Sequence, residues 1–141
     1  MSQWRLPTIL TAATAALALL GSPAMAAHDD SFSASTPGGC GVADFVDYGT
    51  WGDGSKKDDF IVLHDYCSDS KGIFVMAWLN GNQVGGLQNS NGYAGKPTMY
   101  KPWDDVKAGD RIAMQVCLTW SYAACLSGTY SEKEVRTSQD G

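Results

Sequence analysis

The sequence predicts an all-β protein: a single small β-sandwich, immunoglobulin-like or related, with about seven strands and two disulfides. Three observations carry this expectation. Short β-type runs alternate with turn residues every 8–15 positions. Beyond residue 26 no stretch holds a helical apolar period for ten residues. Four cysteines, an even number, all fall in that same part of the chain.

The N-terminus comes first in the chain and sets the compartment. Arg5 lies in a short polar start, and an apolar Ala- and Leu-rich run of 12 residues follows from Ile9 to Leu20. Gly21, Ser22 and Pro23 break the run, and Ala24-Met25-Ala26 places small residues where a signal peptidase reads them. A membrane-spanning helix needs roughly 20 apolar residues. Residues 1–26 are therefore expected to be a cleaved secretory signal peptide rather than an anchor, and the protein to be secreted and extracellular. Residues 27–39, polar and rich in small side chains, read as a flexible N-terminal tail. Residues 40–141 read as the sandwich domain.

Within that domain the strands follow in order. Val42 to Tyr48 is the first run, and Trp51 to Asp59 reads as a Gly-rich charged loop. Phe60 to Cys67, Ile73 to Leu79 and a weaker Gln83 to Gln88 come next, the last two separated by Asn80-Gly81-Asn82, which favours positive φ. Pro97 to Lys101 is an edge candidate, because proline has no N–H for a central ladder. Arg111 to Leu118 is the clearest strand, and the last lies within Gly128 to Thr137. Ile112, Met114, Val116 and Leu118 alternate with Arg111, Ala113, Gln115 and Cys117, so one face of that strand is expected in the core. Cys117 then lies on the polar face. Of the three possible pairings, Cys40–Cys67 and Cys117–Cys125 are favoured; the second suits a surface loop stapled at its base.

Charge narrows the partners. The whole chain has a net charge of −5, and Arg5 is the only charged residue before position 27, so the remainder carries −6. Such a surface repels phosphate backbones and anionic lipid, so neither nucleic acid nor membrane is an expected partner. Catalytic signatures are missing: there is no Gly-x-Ser-x-Gly, no His-Glu-x-x-His and no phosphate-binding Gly loop. His28 and His64 are the only histidines, and paired cysteines leave no thiol nucleophile. No enzyme activity, metal or cofactor is expected. Asp53, Asp58, Asp59, Asp104 and Asp105 are acidic enough to suggest calcium. Their spacing does not fit the EF-hand pattern, and Lys56 and Lys57 oppose a cation, so they read as solvated loops.

Two features point to binding. The strand Ile73 to Leu79 is apolar on both faces: Phe74, Met76 and Trp78 form a second hydrophobic row that needs cover. Either the Trp51 loop or the Trp103 segment folds over it, or a partner protein docks there. Trp51, Tyr93, Tyr100, Trp103, Trp120 and Tyr122 fall in or beside predicted turns. Aromatic platforms of this kind stack on sugars or anchor protein partners. Trp120 and Tyr122 stand out because they sit at the tip of the stapled loop.

The phrases "VADFVDYG", "NSNGYAG", "VKAGDRIAMQVCL" and "RTSQDG", together with the signal ending at Ala-Met-Ala, resemble small exported actinobacterial proteins, most without an assigned activity. Some similar β proteins are adaptor subunits of secreted, umbrella-shaped antibacterial toxin particles. The resemblance implies an interaction module and carries over no functional residue. The expectation is thus a secreted, non-enzymatic binding module, foremost a protein-interaction or adaptor subunit. Its candidate contacts are Phe74, Met76, Trp78, Trp103, Trp120 and Tyr122. The alternative is a carbohydrate-binding module using the loop aromatics.

Overall fold

The computed structural model describes residues 28–139, so the expected signal peptide lies outside the described residues. Eight strands form two antiparallel four-stranded sheets: β1 (Phe32–Ser35), β2 (Gly41–Thr50), β3 (Lys56–Asp65), β4 (Gly72–Leu79), β5 (Asn82–Asn89), β6 (Thr98–Tyr100), β7 (Arg111–Thr119) and β8 (Glu134–Thr137). The first sheet runs β1-β2-β3-β6 and the second β5-β4-β7-β8. Alternation builds the core: Phe45, Ile61 and Leu63 from the first sheet meet Ile73, Val75, Ile112, Met114 and Val116 from the second. The all-β sandwich and both disulfides thus match expectation, with eight strands in place of about seven.

The additional strand corrects the reading of residues 27–39 as a flexible tail. Phe32 and Ala34 are buried in the core while Ser33 and Ser35 face out, and the strand pairs with β2 from Phe32↔Phe45 to Ser35↔Val42. Asp30 ties this end to the chain's other end: its carboxylate accepts the Gln139 N–H at 2.6 Å.

Trp103 is a second correction. It is 7% exposed, packs edge-on to Phe45 with ring centroids 5.8 Å apart, and donates its indole N–H to the Asp59 carbonyl at 2.6 Å. Asp59, at φ 51°, turns its carboxylate inward to accept the Val106 N–H. The β6–β7 connection therefore plugs the sandwich, and Trp103 is a core residue rather than a partner contact.

Both disulfides stay within one sheet. Cys40–Cys67 closes the end of the β2–β3 pair, and Cys117–Cys125 folds residues 120–124 back over the second sheet. Cys117 sits opposite Phe74 and is 0% exposed, so the outer face of β7 is apolar here and not the expected polar face.

Candidate binding cleft

Three segments distant in sequence meet at one end of the second sheet. The β3–β4 connection supplies Cys67, Ser68, Ser70 and Lys71. The end of β5 and its following turn supply Gln88, Ser90, Asn91 and Tyr93. Trp120 comes from the first position after β7. Together they line a cleft of about 340 Å³, within the size range of small-ligand sites.

Each segment is held by its own local bonds. Asp65 accepts the Cys67 N–H at 3.1 Å and Asp69 accepts the Lys71 N–H at 3.0 Å, two Asx-type turns, the second with Ser70 at φ 61° in its middle. The Cys40–Cys67 bridge anchors the same connection. Across the cleft, buried Asn89 donates to the Leu63 carbonyl at 2.8 Å and accepts the Asn91 N–H at 2.9 Å. The turn is thereby locked to the opposite sheet. Gly72 is required here: a Cβ would stand 2.9 Å from the Asn89 carbonyl oxygen. The loop carrying Trp120 is fixed by Cys117–Cys125, by the Thr119↔Cys125 bridge and by the Thr119 hydroxyl, which bonds the Ala124 carbonyl at 2.8 Å.

The cleft is polar with aromatic margins. Trp120 and Tyr93 are each 62% exposed. Lys71 places Nζ 5.3 Å from the Trp120 ring centroid and pairs with Asp69 at 2.9 Å. That hydrogen bond from Lys71 holds the Asp69 carboxyl below its usual range, so the pair is neutral overall. Gln88 donates to the Ser90 hydroxyl at 2.6 Å, but its Oε1 is buried without a partner. Buried acceptors are seldom left so. Asp65, behind the cleft wall, is pushed above its usual value by burial.

The expected docking row has a different fate. Phe74 is buried under Tyr122, edge to face at 5.4 Å. The Tyr122 hydroxyl reaches on to the Gly86 carbonyl at 3.4 Å, although the residue is 68% exposed. Lys133 lies 3.7 Å over the Trp78 ring, and Met76 and Trp78 are half-buried. The cover comes from the stapled loop and the β7–β8 connection. The two segments expected to supply it go elsewhere: Trp103 is in the core and Trp51 packs on Phe60 of the first sheet.

Other chemistry-bearing groups are structurally engaged. His64 lies 3.3 Å from Asp44, and Ser33 donates to that same carboxylate. The acid stands between the two, whereas a hydrolytic triad needs the imidazole between acid and hydroxyl. Asp58, Asp59 and Asp105 bring carboxylate oxygens within 4.8 Å of one another. Lys101 occupies Asp58 at 2.9 Å and the Val106 N–H occupies Asp59, which burial pushes above its usual value.

No family model, curated protein or solved structure matches this chain. Trp120 and Tyr93 were expected beside turns, whereas Gln88 was expected only as the end of a weak strand and Ser68–Lys71 carried no expectation of a site. Nothing local in the sequence signals that these segments converge.

Proposed function

We propose that this protein is a non-catalytic carbohydrate-binding module that holds a neutral glycan in the cleft between Lys71, Gln88, Tyr93 and Trp120. The single observation that carries the reading is two widely exposed aromatic rings on one polar cleft. A sugar ring offers C–H faces to an aromatic plane and hydroxyls to amides and hydroxyls around it. Trp120 and Tyr93 meet the first need; Ser68, Ser70, Ser90, Asn91 and Gln88 meet the second. Gln88 lines the cleft wall and is held there by the hydrogen bond from its amide to the Ser90 hydroxyl. Asp69 neutralises Lys71, which favours an uncharged ligand over an anionic one. Among the described residues no carboxylate lines the cleft, while glycoside hydrolysis employs a pair. The two disulfides suit the oxidising surroundings in which such modules work, and export by the N-terminal segment belongs to the same proposal.

The test is binding to arrayed cello-, chito-, xylo- and malto-oligosaccharides. At least one series should be retained, and Trp120→Ala should weaken it at least ~10-fold, or about 1.4 kcal/mol. Retention of none, or retention that Trp120→Ala leaves intact, would sink the reading.

A second reading keeps the expected protein partner. Trp78, Arg111 and Lys133 line a groove of about 120 Å³ on the outer face of the second sheet. Two cations beside an indole, on an acidic chain, suit an acidic partner segment. The adaptor resemblance belongs here. A pull-down from the producing culture should then yield a stoichiometric partner that Trp78→Ala loses and Trp120→Ala keeps.

A further inference from the structure

The four edges of this sandwich are unequal. β1 has four residues, β6 has three between Pro97 and Pro102, and β8 has four including Glu134 and Arg136. Short length, proline and charge are the usual guards against strand addition. β5 has eight residues, pairs among the described residues only with β4, and contains neither a charge nor a proline.

Its sequence reads nearly the same in both directions: Asn82-Gln83-Val84-Gly85-Gly86-Leu87-Gln88-Asn89. Two-fold antiparallel pairing of two such strands puts like opposite like. A regular strand of even length could not use this symmetry, because opposed residues would point to opposite faces. β5 is not regular. Ala77 pairs with Gly85 and Trp78 with Gln83, so Val84 is an inserted bulge residue.

The bulge repairs the parity. Asn82, Val84, Gly85, Leu87 and Asn89 are placed towards the core by their partners Leu79, Ala77, Val75 and Ile73 and by packing. Gln83, Gly86 and Gln88 lie on the outer side with Trp78, Met76 and Phe74. Counting Val84–Gly85 as one position leaves seven positions centred on Gly86. Gly86 then faces its own copy, Leu87 faces Val84–Gly85, Gln88 faces Gln83 and Asn89 faces Asn82, every pair on a shared face.

We infer that the open edge of β5 pairs with β5 of a second copy, joining two four-stranded sheets into one continuous sheet across a two-fold axis at Gly86. The occupant is a second copy because the strand's symmetry complements itself, as an isologous interface requires. Glycine at the axis lets the backbones approach closely. Tyr122 contacts the Gly86 carbonyl from the outer face, and that oxygen has a second lone pair for the partner's N–H. One strand pair is a small interface, so the dimer is concentration-dependent. Its existence does not depend on the glycan reading.

The experiment is sedimentation equilibrium on the purified protein from roughly 10 μM to 1 mM, paired with amide chemical shifts over the same range. A monomer–dimer equilibrium is expected, with the largest shifts in Asn82–Asn89. Gln83 is exposed, so Gln83→Lys leaves the melting temperature unchanged and weakens association at least ~10-fold by setting a lysine on the pairing edge, the usual guard against strand addition. A monomer at every concentration, shifts centred elsewhere, or undiminished association of the Gln83→Lys protein would each overturn the inference.

Discussion

Trp78 and Trp120 lie on the same sheet and meet opposite fates. Trp78 is on β4, and its ring is covered by Lys133 at 3.7 Å while Tyr122 covers its row-mate Phe74. Trp120 is one residue beyond β7 and stays 62% exposed, although a disulfide, a bridge and a threonine hydroxyl hold its loop in place. Both are large apolar groups for which burial would be favourable by ~2–3 kcal/mol. The protein partly satisfies that tendency on the strand and forgoes it at the cleft. An indole kept in water on a fixed loop, beside the polar side chains of the cleft, is where the proposed glycan would recover what folding left unused.

Substitutions that separate structural from ligand-facing aromatics test this contrast most strongly. Trp103→Ala removes a core ring and its bond to the Asp59 carbonyl, and should cost ~3–5 kcal/mol in denaturant unfolding; Trp120→Ala should stay within ~0.5 kcal/mol of the parent. Comparable losses for the two would erase the distinction. Next in size are the bridges. Loop entropy gives ~3.6 kcal/mol for Cys40–Cys67 and ~2.6 kcal/mol for Cys117–Cys125, from separations of 27 and 8 residues. Serine pairs at each should therefore rank in that order by chemical denaturation. If the stapled loop presents Trp120, the Cys117→Ser/Cys125→Ser protein should also bind oligosaccharide less well at a temperature where it remains folded.

Smaller still is Tyr122→Ala, which uncovers Phe74 and should cost ~1 kcal/mol, read as a lowered melting temperature. The least effect concerns Asp59. Burial raises its pKa in the folded state, so the folded protein binds this proton more tightly than the unfolded chain does. Its contribution to stability therefore falls as pH rises from the unfolded value, about 3.9, through the raised folded value. Asp59→Asn keeps an acceptor for the Val106 N–H and removes the buried charge beside Asp58 and Asp105. Its melting temperature should exceed the parent's at neutral pH, with the gap closing on acidification; a gap that widens would contradict the assignment.

The sandwich was legible because period-two alternation is local: β7 announces its inward row, turn residues separate the other β-type runs, and the cysteine spacings fit closed loops. β1 was missed because Phe32 and Ala34 are only two inward residues between acidic and Gly-rich flanks, and its partner β2 decides its state. Trp103 was misread because Pro102, Asp104 and Asp105 surround it, while the groups that bury it, Asp59 and Phe45, are more than forty residues away. The cleft was half-legible. Its aromatic members follow from turn placement, but the convergence of Ser68–Lys71 with Gln88–Tyr93 depends on the β4–β5 register and on the reach of Asn89 to Leu63. The pairing symmetry of β5 was in the sequence throughout, yet it acquires meaning only once the bulge at Val84 fixes which way each residue points.

The most direct test is a two-dimensional NMR titration with whichever oligosaccharide the array retains, following the indole N–H signals of Trp78, Trp103 and Trp120 together with the backbone amides. Trp120 is expected to shift along with Ser68–Gly72 and Gln88–Tyr93, while Trp78 and Trp103 hold still. Shifts gathered around Trp78, Arg111 and Lys133, with Trp120 unmoved, would contradict that expectation.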